Sequence, residues 1–392
     1  MAKVILHIDL NAFFASAMQI KYPHLIGKPL AVCSNARGSV VTTASYEARA
    51  YGVKSAMPLA IAKQKCPDLE VVETDFEWFN NLSLQFVNLL KTYTPLVEKA
   101  SIDECYLDVT QKIKTYKKPL NLVVEIQQDI KESLGLQCSI GLAPNKFLAK
   151  MASDMKKPNG ITILRKREIQ QKLWPLPVGS MVYVGQKMTA KLKKAEIHTI
   201  GDLANSNLQD LIPLLGNQAY IVHQRAWGED QDPVVVEHDV KSISASQSLY
   251  DPIMEYDEVS LLIKTLVDDI AAKCKKNQIS GKTLTLSLKL EDGTILTKSK
   301  RNDEGYSIAT ELYQVGMLLF DLVDQQEPIK FISISLMNLE QQEYDAIYNL
   351  FSMNSINDVD DIIKTTNNLL GKNVLIKANE LKGKSPDETD NQ

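Results

Sequence analysis

The sequence predicts a multidomain α/β protein with an α+β extension, on three observations. A chain of 392 residues is too long for one ordinary core. Strand-like and helix-like segments alternate through the first 165 residues. The chain then changes character twice, to short helices from Lys166 and to a strand, hairpin and helix pattern from Lys241. Hydrophobic residues make up 44% and charged residues 23%, as in ordinary globular proteins. No apolar run approaches the roughly 18 residues that cross a bilayer, so no membrane association is expected. The opening Val4-Ile5-Leu6 is interrupted too soon by His7 and Asp9 for a signal peptide, and a cytoplasmic protein is expected.

Taken in order, Val4 to Ile8 is a continuous apolar run, the pattern of a strand covered on both faces. Asn11 is a good helix N-cap, which predicts a helix over Ala12 to Ile20. After the turn at Gly27-Lys28-Pro29, Leu30 to Cys33 and Val40 to Thr43 read as short strands. Ser45 to Tyr51 and Pro58 to Lys65 read as short helices, and Asp75 to Tyr93 as a long amphipathic one. Val97 to Val109 reads as strand, turn, strand, with Ile102-Asp103-Glu104 in the turn. A helix over Leu120 to Leu134, a strand over Gln137 to Leu142 and a helix over Asn145 to Met155 complete the alternation.

Short helices follow to about Glu229, then an extended linker from Asp232 to about His238. Beyond it, Leu261 to Cys274 and Ser307 to Val323 read as helices. Thr283 to Leu290, Thr294 to Ser299 and Ile329 to Leu336 read as strands, with a hairpin at Asp292-Gly293. From Gln341 the chain is polar and acidic, with nine Asp/Glu against five Lys, and its last ten residues are expected to be disordered.

The five cysteines lie far apart and none has C-x-x-C spacing, which argues against a zinc site or disulfide framework. The formal net charge of −4 hides a segregation. Twelve Lys and Arg crowd the stretch from Lys146 to Lys194, the local basic footprint that phosphate binding needs.

Two acidic features carry chemistry. Asp9 ends a buried strand, and Asp103-Glu104 sits between two strands, with Asp108 a weaker candidate. Buried carboxylates are costly unless a cation or donors compensate them. Converging carboxylates with few histidines favour a hard, oxygen-liganded ion, Mg²⁺ or Mn²⁺. Two such ions can clamp the attacking and leaving oxygens of a phosphoryl transfer.

Four motifs then resemble those of Y-family DNA polymerases, in family order: His7 to Ser16, Tyr46-Glu47-Ala48-Arg49 with Gly52-Val53-Lys54, Ser101 to Glu104, and Gly141 to Lys146 with Ala149-Lys150 and Lys157 to Gly160. The resemblance covers about residues 3 to 340 and is strongest before residue 165. It implies a right-hand polymerase with a palm over 1–10 and 76–165, fingers over 11–75, a helix-hairpin-helix-like thumb over 166–232, a linker over 233–240, a little finger over 241–340 and a tail over 341–392.

Residue by residue, the resemblance implies that Asp9, Asp103 and Glu104 bind two Mg²⁺ ions, with Mn²⁺ as a substitute, helped by the main-chain carbonyl of Leu10. Ala12, Phe13, Thr43, Tyr46, Arg49 and Lys157 match nucleotide contacts; a guanidinium suits bidentate phosphate binding and Lys adds a point charge. Phe14 matches the steric gate, whose flat ring leaves no room for a 2′-hydroxyl. Val40, Thr42 and Ala56 match the small residues that roof the nascent base pair and leave the pocket open. Many family members carry a second aspartate where this chain has Asn11; asparagine is seen there in the mutagenesis-associated bacterial branch.

In the thumb, Gly185 with Lys187 and Lys191 is expected to meet DNA phosphates, although Val182-Tyr183-Val184-Gly185 keeps one glycine where two are common. In the little finger, Lys298, Lys300 and Arg301 form the expected phosphate-contacting strand. Ile347 to Phe351 resembles a sliding-clamp-binding peptide with Leu350 and Phe351 as apolar anchors. The implied enzyme is a monomeric, error-prone DNA polymerase of the DNA-damage (SOS) response that extends primer-template DNA with dNTPs, bypasses lesions and does not proofread. Two other readings compete: a non-catalytic DNA-binding or SOS-accessory protein that keeps the fold, and another palm enzyme such as a nucleotide cyclase.

Overall fold

The computed structural model describes residues 3–341 apart from positions 37, 117, 238 and 325. The chain divides into two units, Met1–His238 and Asp239–Gln392. The first begins β1 (Ile5–Leu10), α1 (Phe13–Lys21), β2 (Leu30–Val32), β3 (Thr43–Ala44), α2 (Tyr46–Ala50), α3 (Leu59–Lys65) and β4 (Glu70–Val72). It continues α4 (Phe76–Lys91), β5 (Val97–Lys99), β6 (Glu104–Asp108), α5 (Pro119–Leu134), β7 (Cys138–Ala143), α6 (Lys146–Met155) and β8 (Ile161–Ile163). Five short helices close it: α7 (Ile169–Lys172), α8 (Gln186–Lys194), α9 (Ile200–Asn205), α10 (Leu208–Leu215) and α11 (Gln218–Ala226).

The main sheet has the order β5-β6-β1-β7-β8. β1 lies at its centre, antiparallel to β6 and β7, and all six of its residues are buried. Alternation divides them between two cores. Leu6, Ile8 and Leu10 join a cluster with α1, α4 and α5. Ile5 joins a second cluster with α6 and the short helices, so the odd positions of β1, which include His7 and Asp9, face α6. The close approach of α6 requires Gly141: a Cβ there would lie 2.0 Å from the Ala149 carbonyl oxygen. A second sheet, β3-β2-β4, packs its own cluster around Ala31, Val41, Ala48 and Leu59.

The second unit holds β9 (Ser242–Ile253), α12 (Tyr256–Asn277), β10 (Ile279–Leu290), β11 (Ile295–Tyr306), α13 (Ala309–Asp321) and β12 (Ile329–Gln341). Its antiparallel sheet has the order β11-β10-β12-β9. Leu284, Leu286, Ile334 and Leu336 pack against Ile263, Val267 and Leu319 of the two helices.

The structure departs from the sequence expectations in five places. Asn11 does not cap α1; Ala12 occupies the cap in a left-handed conformation (φ 45°), without a side-chain bond. Val40 makes only an isolated bridge to Pro58, and the strand is confined to Thr43–Ala44. β4 and β8 were not anticipated; both are three-residue strands in parallel pairing. Nor was the twelve-residue β9, whose serines and Pro252 have low strand propensity; it lies at the sheet edge, where proline is tolerated. Finally, α12 starts at Tyr256, five residues earlier than the apolar periodicity suggests.

Candidate active site

The register of the main sheet places Asp9 opposite Glu104 on β6 and opposite Ser139 on β7. Cross-strand partners project to the same face, so the two carboxylates stand side by side, facing α6. Asp9 is 7% exposed and Glu104 is partly buried. Two ammonium groups bracket them. Lys157 Nζ lies 2.6 Å from Asp9 Oδ2 and 2.8 Å from Asp154 Oδ1. Lys150 Nζ lies 2.5 Å from Glu104 Oε1 and 3.9 Å from Asp9 Oδ2. His7 is fully buried behind the pair, with Nδ1 2.8 Å from Ser153 Oγ and Nε2 3.6 Å from Glu104 Oε2.

Burial and the neighbouring Glu104 push the Asp9 carboxyl well above its ordinary value, against the pull of Lys157. Burial also acts to raise Glu104, but bonds from His7, Asp9 and Lys150 win and hold it low. Lys157 is raised: burial alone would lower it, and Asp9 and Asp154 outweigh burial. Burial likewise dominates His7 and pushes its imidazole down. Two carboxylates this close favour a shared proton or a cation between them, which is the donor chemistry a hard divalent ion takes.

Asp103 belongs to the same hairpin, and its carbonyl accepts a bond from the Leu10 N–H at 3.0 Å. Its carboxylate is turned back on the turn, accepting from Ser101 Oγ at 2.6 Å. Among the described residues, no three His, Cys, Asp or Glu side chains are gathered in a geometry that would hold a metal ion. Asp9 and Glu104 are therefore together, and Asp103 joins them by backbone rather than by side chain.

Of the expected nucleotide contacts, Lys157 bonds to Asp9, and both lie near Tyr46. Ala12 and Phe13 open α1, and the half-buried Phe14 ring stacks on Phe79 at 4.3 Å with Phe76 edge-on. Ser45 caps α2, which carries Tyr46 and Arg49. Arg49 lies 4.7 Å over the Tyr46 ring, and its Nε donates to the Ala44 carbonyl at 3.0 Å. Burial raises the Tyr46 phenol, with Lys157 and Asp9 close enough to act on it. Thr43 is partly exposed on β3. Val40, Thr42 and Ala56 are all exposed, and Val41 ties their two segments through bonds with Met57 and Ala56.

The basic residues of the later segments are more dispersed. Gly185 caps α8 with open space around it, and Lys187 is exposed, whereas Lys191 is tied to the Leu214 carbonyl. Tyr183 takes the left-handed conformation (φ 74°), with Arg225 4.3 Å over its ring. Lys298 and Lys300 pair with Leu286 and Leu284 and so point to the helix-covered side of the sheet; Arg301 pairs with Thr283 and points to the other. Leu350 and Phe351 lie outside the described residues. The sequence motifs included His7 and Lys150 without a role for either, and Ser153 and Asp154 lay outside them. A histidine and a lysine-bearing helix flanking a carboxylate motif were the available signal.

Comparison with known proteins decides the family. The impB/mucB/samB family model matches residues 8–154, and the model of its C-terminal domain matches residues 240–347. The DNA polymerase IV of Oceanobacillus iheyensis is 39% identical, over 94% of this chain and 89% of that protein. The chain belongs to the Y family of DNA polymerases. DNA polymerase IV 1 of Bacillus subtilis is 38% identical, over 90% of this polymerase and 86% of the relative. A solved Y-family DNA polymerase chimera of Dbh and Dpo4 matches with a TM-score of 0.79 and 29% identity, over 86% of this polymerase and 99% of that chain. The right-hand polymerase fold, with a C-terminal sheet domain in the little-finger position, follows from this match. So does a general dependence on divalent metal. No helix among the described residues is long and apolar enough to cross a membrane.

Proposed function

We propose that this translesion DNA polymerase extends primer-template DNA at the Asp9–Glu104 centre. The primer 3′-hydroxyl attacks the α-phosphate of a dNTP; the new O–P bond forms as the bond to the β-phosphate oxygen breaks and pyrophosphate leaves. Asp9 and Glu104, with Asp103 and the Leu10 carbonyl, would hold two Mg²⁺ ions, for which Mn²⁺ would substitute. Bound there, the ions stabilise charge on the attacking and leaving oxygens.

The side chains divide the remaining work. Lys157, Arg49, Tyr46 and Thr43 hold the triphosphate, with the main chain of Ala12 and Phe13. Phe14 lies under the sugar and excludes a 2′-hydroxyl. Val40, Thr42 and Ala56 cover the nascent base pair with little bulk, so a distorted template base is admitted and fidelity is low. Gly185, Lys187, Lys191, Lys298, Lys300 and Arg301 meet the DNA backbone. The earlier boundaries for palm, fingers, thumb and little finger, the clamp contacts of Leu350 and Phe351, the monomeric state and the cytoplasmic location belong to this reading.

One observation carries it: a carboxylate pair on adjacent strands, Asp9 buried and Glu104 partly so, bracketed by Lys150 and Lys157, with Tyr46 close by. Primer extension on undamaged and abasic templates, with Mg²⁺ and then EDTA, tests it. Extension by wild-type protein and none by Asp9→Ala or Glu104→Ala is the expected result; full activity of either purified variant overturns the assignment.

A further inference from the structure

Asn11 stands two residues beyond Asp9, at the place where a second carboxylate is common, yet its side chain bonds to Ser139 and Asn159. It is 3% exposed. Its Oδ1 accepts from Ser139 Oγ at 2.9 Å, and Ser139 is wholly buried. Its Nδ2 donates to Asn159 Oδ1 at 2.7 Å. Asn159 Nδ2 donates in turn to Gln137 Oε1 at 2.7 Å, and the Asn159 carbonyl accepts from Gln127 Nε2 at 3.2 Å. Asn159 itself holds a left-handed backbone (φ 59°). A continuous run of amides thus clamps the loop between α6 and β8 against β7 and the start of α1.

That loop carries Lys157, two residues before Asn159. A lysine side chain is a flexible four-carbon stem, so where its ammonium sits depends on where its backbone is held. The position between β1 and the loop requires a group that donates and accepts at once. An amide does both, whereas a carboxylate only accepts. Asn11 and Ser139 are the buried members of this relay, and removing Asn11 leaves the Ser139 hydroxyl without its acceptor.

We propose that Asn11 is a positioning residue for Lys157, fixing the 157–160 loop through Asn159 so that the ammonium meets the triphosphate of the incoming nucleotide. The inference rests on the reading of Lys157 as a triphosphate contact. It gives position 11 a role in nucleotide grip rather than in metal binding.

Single-nucleotide insertion kinetics test it, with Mn²⁺ binding measured alongside. Asn11→Ala should raise the KM for dNTP about tenfold with kcat changed less than about threefold, and leave Mn²⁺ affinity unaltered. Asn159→Ala, at an exposed position, should do the same and serves where Asn11→Ala does not fold. The double variant should be no worse than the poorer single, and neither substitution should add to Lys157→Ala. Unchanged KM in Asn11→Ala and Asn159→Ala, full additivity with Lys157→Ala, or a loss of Mn²⁺ affinity overturns the proposal. An unchanged KM in Lys157→Ala alone removes the triphosphate reading itself, and the proposal with it.

Discussion

Asp9 and Glu104 face each other across neighbouring antiparallel strands, and each is held by a different lysine, Lys157 at 2.6 Å and Lys150 at 2.5 Å. Their acidities are driven apart. Asp9 is pushed up to about 7 by burial and by Glu104, while Glu104 is held low by His7, Asp9 and Lys150. A raised carboxyl stabilises the metal-free fold fully below its unfolded value, and that contribution is lost as pH rises through the folded value. A divalent ion binds the deprotonated pair, so binding below neutrality must release a proton. Mn²⁺ affinity should therefore rise about tenfold per unit between about pH 5.5 and 6.5 and level off above about pH 7.5. Calorimetry in buffers of different ionisation enthalpy should find about one proton released near pH 6 and almost none near pH 8. A pH-independent affinity would sink this account.

Phe14 is held flat against Phe79, with Phe76 edge-on and Phe13 tilted beside it. Such a ring cannot swing aside without losing three aromatic contacts. Phe14→Ala should admit ribonucleotides, raising the rNTP/dNTP ratio of kcat/KM by at least about a hundredfold, while the half-buried site limits the stability loss to under about 3 kcal/mol. Competition assays with matched dNTP and rNTP, beside a thermal melt, check both halves. An unchanged ratio with an intact melt removes Phe14 from the gate.

Much of this is legible in the sequence. β1 is an unbroken apolar run, and a pattern of that kind survives tertiary context. The helices expected from Asp75 and Asn145 both form, and in the structure each of these residues caps its helix by accepting from the amide of Trp78 or Leu148. The misses have physical causes. Asn11 satisfies every local rule for a cap, but Ser139 and Asn159 lie 128 and 148 residues away and compete for its amide. β4 and β8 are three residues long and gain their identity from parallel partners rather than from their own pattern. In the site, chain order shows that Asp9 ends a strand and Glu104 begins one. It does not show that the bend before β6 turns Asp103 to Ser101, or that Lys150 reaches Glu104.

Gly141 marks a close approach of β7 to α6. An added Cβ would lie 2.0 Å from the Ala149 carbonyl and 2.5 Å from the Ser153 nitrogen, both backbone atoms of α6. Backbone cannot step aside as a side-chain tip can, so Gly141→Ala must lift α6 from the sheet. That helix carries Lys150 and Ser153, the partners of Glu104 and His7. The substitution should cost about 3 kcal/mol or more, and reduce primer extension in whatever fraction folds. A melt within a degree or two of wild type would contradict the packing described.

One lysine of the last motif stands apart from the carboxylate pair. Lys146 places its ammonium 2.7 Å from both oxygens of Glu98, which is 5% exposed, and 4.9 Å from the Tyr106 ring. Glu98 Oε2 also accepts from the Val235 N–H at 2.8 Å, and Lys146 reaches the Pro233 carbonyl. The pair therefore fastens the chain leaving α11 to β5. Breaking one half of a buried ion pair leaves an uncompensated charge, which costs about 3–5 kcal/mol. Glu98→Ala should approach that loss and also free the amide of Val235, whereas a double Glu98→Gln, Lys146→Met replacement should recover much of it by removing both charges. Denaturant melts give the energies, and hydrogen exchange at Val235 gives the local effect: exchange should quicken in Glu98→Ala by more than global unfolding accounts for. Protection at Val235 equal to wild type would mean that the ion pair holds β5 and α6 together without holding the segment that follows α11.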